Sequence, residues 1–272
     1  MSELLPVGRS VVMGVLNVTP DSFSDGGRYL SVDAAAERAR VMAGEGADLI
    51  DVGGESTRPG SVEIPVDEEI ARTAPVIERI ASLGVTISID TRKATVAKAA
   101  LAAGAAIVND VSAGIFDPAM LPLVADRRVP IVLMHMRGTP RTMDELTGYS
   151  DVVADVRREL RERVGAAKHA GVDGSNILLD PGLGFSKTTE QSLELLRRIT
   201  ELRSEGFPLV VGPSRKRFVG AVLSADVGDR LEGTVAACAW CAVNGVEIVR
   251  VHDVKEVRRT IDMITAIQGR TS

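Results

Sequence analysis

Residues 47–55 read ADLIDVGGE, a short apolar run that carries an acid, Asp51, and closes on two glycines. The pattern recurs along the chain. VVMGVLN ends at Asn17, VTISID at Asp90, AAIVND carries Asn109, PIVLMH ends at His135, NILLD at Asp180, PLVVG at Gly212, and EIVRVH carries Arg250 and His252. These runs are continuously apolar instead of alternating, as expected of strands buried on both faces. Between them lie segments with apolar spacing of three and four: VDAAAERARVMAGEGA, VDEEIARTAPVIERIASLG, KATVAKAALAAGA and TEQSLELLRRITELRSEG. Strand then helix, repeated about eight times, implies a parallel sheet covered by helices. A doubly wound open sheet shares these signals. The count of eight, with a polar residue or glycine at each strand end, predicts a closed (β/α)8 barrel of the TIM type instead. In such a barrel the C-terminal strand ends meet on one face, so groups from Asn17 to His252 converge on one pocket.

The length, 272 residues, suits one such barrel, and no linker or charge block divides the chain, so a single domain over residues 1–272 is expected. Hydrophobic residues at 45% and charged ones at 25% fit an α/β domain with ample core. Aromatics at 3% leave Ala, Val, Ile and Leu to fill it. A net charge of -5 argues against a nucleic-acid partner, which would need a basic face. The opening MSELLPVGRS lacks a secretory pattern, and no apolar run approaches the ~20 residues of a membrane span. A cytoplasmic location follows as an expectation. Cys238 and Cys241 form a C-x-x-C inside a helical apolar pattern, with no second pair and no nearby histidine, and read as small buried helix residues. The charged segment Ser150 to Ala170 reads as an outer helix, a candidate subunit contact together with the final helix from Lys255 to Gln268.

Several loops after the strands carry chemistry. NVTPDSFSDGG, from Asn17 to Gly27, is polar and glycine-rich around a single Phe23, and reads as a lid. DVGGESTRPGS offers backbone amides at Gly53 and Gly54, hydroxyls at Ser56 and Thr57, and a forked cation at Arg58, a set suited to phosphate. Asp90, Asn109 and Asp180 supply three acceptors from three strand ends. Singly each reads as a helix cap, but together they suit a heterocycle with parallel N–H donors. Ser214, Arg215, Lys216 and Arg217 crowd a helix start, where three cations oppose the macrodipole and require something negative. Arg250 and His252, two residues apart, share one side of their strand. With Arg58 and Asn17 they could grip a pyrophosphate, Asn17 through a divalent ion. His135 reads equally as packing or function, and His169 as surface.

In order along the chain, MGVLNVTPDSFSDGG, GADLIDVGGESTRPG, SIDT, NDVSAG, LMHMRGTP, DPGLGFSKT, and SRKRF followed by RVHDV resemble the dihydropteroate synthase family, the folate-pathway target of sulfonamides. The resemblance covers nearly the whole chain, and that family's fold is also a (β/α)8 barrel. It implies condensation of 4-aminobenzoate with (7,8-dihydropterin-6-yl)methyl diphosphate, giving 7,8-dihydropteroate and pyrophosphate with Mg²⁺ present. Carried onto matching positions, the pterin-binding set is Asp90, Asn109, Met134, Asp180, Gly212 and Lys216. The diphosphate-binding set is Asn17, Thr57, Arg58, Arg250 and His252, with Asn17 the magnesium ligand. Phe23, Thr57, Pro59, Phe185, Ser214 and Lys216 would surround the aminobenzoate, and Asp90, Lys216, Arg58, Arg250 and His252 would carry catalysis. The expected assembly is a homodimer. Pro213 departs from the small residue expected there, which would stiffen that turn. The DSF and SRK regions show no alteration of the kind found in sulfonamide-insensitive relatives, so a drug-sensitive enzyme is expected.

Two other readings use the same barrel. Methyltransferases acting on methyltetrahydrofolate would keep the pterin acceptors, but have no reason to keep Arg58, Lys216, Arg250 and the first loop. A barrel that binds pterin without turnover would be expected to lack some site residue, and none is missing from this sequence.

Overall fold

Sheet order and register account for the convergence expected from the sequence. The computed structural model describes residues 8–19, 28–58 and 60–270. Strands β1 (Val11–Asn17), β2 (Leu49–Gly53), β3 (Thr86–Asp90), β4 (Ile107–Asp110), β5 (Ile131–Met134), β6 (Ile177–Asp180), β7 (Val210–Val211) and β8 (Ile248–Val251) form one parallel sheet in the order β6-β5-β4-β3-β2-β1-β8-β7. A parallel bridge between Leu179 and Leu209, with the Leu179 amide donating to the Pro208 carbonyl at 2.9 Å, closes the sheet into a barrel.

Each strand feeds the outer helical layer: α1 (Arg28–Gly44), α2 (Val66–Ile80), α3 (Ala94–Ala103), α4 (Met120–Arg127), α5 (Val152–His169), α6 (Thr189–Arg197) with α7 (Ile199–Arg203), α8 (Arg217–Leu223) with α9 (Leu231–Val243), and α10 (Val254–Ile267). The single helix expected from TEQSLELLRRITELRSEG is therefore two, broken at Arg198. The Trp240 indole donates to the Leu196 carbonyl at 2.7 Å, engaging an acceptor that the next helical turn would use.

Period two along the strands divides the core in two. One set of positions faces the helices and joins the large outer core. The other faces inward, where Val11, Met13, Leu49, Ile107, Val132, Leu178, Val210 and Ile248 form a separate apolar plug. Continued toward the C-terminal ends, the same inward positions turn polar. Asn17, Gly53, Asp90 and Asn109 lie in one row of the register, with Asp51 and Ser88 one row below. The plug thus forms the floor of a polar mouth. Cys238 and Cys241 are free and buried in α9, as their helical context predicts.

Candidate active site

Four side chains join directly above the plug. Arg250 donates through Nε to Asp51 Oδ2 and through Nη2 to Asp90 Oδ2, both at 2.6 Å, while Asn109 Nδ2 donates to Asp51 Oδ2 at 2.9 Å. Asp51 is fully buried, and the second oxygens of Asp51 and Asp90 are buried without a hydrogen-bond partner among the described residues. Gly53 leaves room for this cluster, since a β-carbon there would meet Asp90 Oδ2 at 3.7 Å and Asn17 Oδ1 at 3.8 Å, and a longer side chain would fill the space between them. Burial, opposed by Arg250 and reinforced by Asp51, Glu69 and Asp110, pushes Asp90 up to about 7. For Arg250, burial works against the charge, but Asp51 and Asp90 outweigh it and hold the guanidinium charged.

Asp180 and Lys216 complete the polar mouth. Burial raises Asp180 above the usual carboxylate range, although Oδ1 accepts from the Gly182 amide at 2.7 Å and Lys216 and Arg250 attract its charge. Lys216 Nζ lies 4.2 Å from the centre of the Phe185 ring, and burial lowers it to about 8 against the pull of Asp180. Met134 is buried opposite Asp180 in the register, and Gly212 lies beside Arg250 Cβ.

His252 stands beside these groups as a neutral ring. Burial, with the nearby charges of Arg250 and Arg215, lowers it to about 4, so it is neutral at pH 7. The Ser214 hydroxyl accepts from the His252 amide at 3.1 Å and lies 3.0 Å from Nδ1. A hydroxyl that accepts from the amide can donate to Nδ1, the arrangement in which Nε2 is an N–H donor. The cationic run at α8 finds the negative partners that it requires within the chain. Arg215 pairs with Asp253, and Arg217 donates to Asp144 at 2.7 Å, so the negative partners of two of its three cations are the chain's own carboxylates.

Thr57 is half-buried and Arg58 exposed on the loop after β2, and no hydrogen bond among the described residues joins Arg58 to Arg250 or His252. Phe23 and Pro59 lie outside the described residues.

Three features escaped the sequence reading. Asp51 was read only as one of the polar strand-end residues and given no role, yet it is the junction of the cluster. Glu55, inside the GGEST loop, pairs with Arg92 at 2.6 Å and Lys93 at 2.7 Å, and Lys93 also reaches Glu69 at 2.8 Å, which fastens the start of that loop to the end of β3. Lys187 is buried with Nζ 2.9 Å from His135 Nδ1, while His135 Nε2 meets Glu159 at 2.9 Å. Burial lowers Lys187 to about 7, and burial with the Lys187 charge lowers His135 to about 4. The signal for Asp51 was available: a carboxylate at an inward strand position requires a cationic partner. His169 is exposed, as expected.

Barrel, plug and polar mouth define an α/β-barrel enzyme with a set of buried acceptors beside a cluster of cations. The pterin binding enzyme family matches residues 13–252. A dihydropteroate synthase of Synechocystis sp. is 46% identical, covering 97% of this chain and 94% of its own. Solved dihydropteroate synthases of Xanthomonas albilineans, one with 4-aminobenzoic acid and one in complex with 7,8-dihydropteroate, superpose with TM-scores of 0.91 and 0.89 at 45% and 43% identity. The first match covers 97% of this chain and 94% of the other, and the second 98% and 97%. The chain belongs to the dihydropteroate synthase family of pterin-binding enzymes.

Proposed function

We propose that this chain condenses 4-aminobenzoate with (7,8-dihydropterin-6-yl)methyl diphosphate to give 7,8-dihydropteroate and pyrophosphate. The observation that carries the reading is the set of buried acceptors Asp90, Asn109 and Asp180, placed with Lys216 and Arg250 over one apolar floor. A dihydropterin ring presents adjacent N–H donors that such acceptors bind. Heterolysis of the carbon–oxygen bond sends the electron pair out with the diphosphate and leaves a cation delocalised into the ring. Asp90, accepting a ring N–H, favours that charge. Arg58, with Arg250 and the His252 N–H, takes the leaving group, assisted by Thr57. The aromatic amine then forms the carbon–nitrogen bond and loses one proton, with Lys216, Phe185 and Ser214 ordering its ring, Phe23 and Pro59 completing the pocket. No covalent enzyme intermediate is needed.

Mg²⁺ fits the donor set as a companion of the diphosphate. Among the described residues no cluster of three acidic, histidine or cysteine side chains could hold it, whereas the Asn17 amide oxygen lies at the mouth beside Gly53. Bound there, the ion would neutralise charge on the leaving group.

The same reading takes the chain as a cytoplasmic homodimer. Among the described residues no helix is long and apolar enough to cross a membrane. Exposed Val222 and Leu223 on α8, Trp240 and Val243 on α9, and Met263 and Ile267 on α10 supply apolar surface for a second copy. By contrast α5 carries ion pairs such as Arg161 with Glu205, at 2.6 Å. Light scattering would test the dimer.

The deciding experiment is pyrophosphate release with each substrate alone and with both. Release that requires both supports the reading, and tight pterin binding without release overturns it.

A further inference from the structure

Asp51 takes no part in the reaction above, yet its burial is complete and its contacts are those of a fixed post. Its Oδ2 accepts from both Asn109 Nδ2 and Arg250 Nε, at 2.9 and 2.6 Å. A carboxylate has only acceptors, so the planar amide of Asn109 must turn its NH₂ toward Asp51 and its carbonyl to the opposite branch. We propose that Asp51 is a positioning residue that sets substrate specificity: by holding the Asn109 NH₂, it makes the Asn109 carbonyl the atom offered to the bound heterocycle. The inference rests on the pterin reading above.

The acceptors set at the mouth are then the Asn109 carbonyl and Asp180, beside an Asp90 carboxylate tied to Arg250. A ligand edge made of N–H groups is accepted. One with a carbonyl in place of the 2-amino group faces an acceptor and is refused. Without Asp51 the amide can turn over and offer its NH₂, which a carbonyl edge would satisfy. Discrimination between 2-amino and 2-oxo rings therefore depends on a residue that touches neither.

The test is the ratio of Kd values for 6-hydroxymethylpterin and its 2-oxo counterpart, 6-hydroxymethyllumazine, by titration calorimetry. Asp51→Ala should narrow the preference by about tenfold, the worth of one hydrogen bond, through tighter lumazine binding as well as weaker pterin binding. Asp51→Asn keeps an amide oxygen for Asn109 and Arg250, and should hold the preference within about twofold of wild type. If Asp51→Ala does not fold, the exchange pair decides. Asn109→Asp alone sets two carboxylates together and should lose pterin binding, while Asn109→Asp with Asp51→Asn removes that repulsion, at the cost of turning an NH₂ toward Arg250 Nε, and should regain part of it. A folded Asp51→Ala with wild-type preference, or an exchange pair no better than Asn109→Asp alone, overturns the inference. Wild-type protein that turns over the two substrates yet binds pterin and lumazine equally overturns this inference alone. Wild-type protein that binds neither overturns the pterin reading beneath it.

Discussion

At the scale of single residues, Asp90 and Lys216 set the conditions under which the proposed chemistry runs. Asp90 must be ionised to favour a cationic ring, and Lys216 must keep its proton to hold the aminobenzoate. With Asp90 near 7 and Lys216 near 8, kcat/KM should follow a narrow bell, rising through about 7 and falling through about 8. Steady-state kinetics against pH checks this, and Asp90→Asn should remove the acidic limb. The same variant should lower kcat about 100-fold while weakening pterin binding less than about tenfold; raised KM with intact kcat would refute charge stabilisation. Asp90 was legible because it ends an apolar strand in company with Asn109 and Asp180, and Lys216 because it sits in a cationic run at a helix start. Asp51 was less so, because its partners, Asn109 and Arg250, lie 58 and 199 residues away. The partners of Arg215 and Arg217 were hidden for the same reason: the carboxylates that hold them, Asp253 and Asp144, lie far along the chain.

At the scale of elements, the strand-to-helix turns carry the site, and the turn after β6 is the most constrained. Gly182 has φ 67°, and a β-carbon there would lie 2.0 Å from the His135 carbonyl oxygen, so the turn after β6 can pack on the end of β5 only as glycine. Its amide also fixes the carboxylate of Asp180. Gly182→Ala should therefore cost about 3 kcal/mol or more, read as a lower urea midpoint, and should also weaken pterin binding. The eight strands were legible as short, continuously apolar runs and most helices from apolar spacing of three and four, since both patterns register local burial. The break at Arg198 was not, because apolar spacing runs through it and its cause is the Trp240 indole, from another helix. The anchoring of the loop after β2 by Glu55 escaped for a related reason. A glutamate in a glycine-rich loop looks solvated until Arg92 and Lys93 are brought over it by the neighbouring strand.

At the scale of the whole molecule, the buried lysines make stability depend on pH in an unexpected window. Lys187 is lowered to about 7 and Lys216 to about 8 in the folded state, against 10.5 for both in the unfolded chain. Between these values the unfolded chain binds more protons than the native one, so unfolding free energy rises with pH. The contribution is complete above about 10.5 and is lost as pH falls through 8 and then 7. Below pH 7 other groups intervene, because Asp90 near 7 acts with the opposite sign to His135 and His252 near 4. Above about 9 the thiols, raised by burial in α9, ionise only on unfolding and turn the trend downward. Across pH 7 to 9 the two lysines supply the rising component, opposed at the lower end by Asp90. Urea unfolding of the ligand-free protein should show a midpoint that climbs across it, where a protein without such lysines would be flat. Lys187→Met keeps a long apolar stem in the same pocket and removes the titration, so it should raise stability at pH 7 and leave only the weaker slope due to Lys216. An unchanged slope in Lys187→Met would mean that His135 and Glu159 keep that lysine charged throughout, with the native charge network intact at neutral pH.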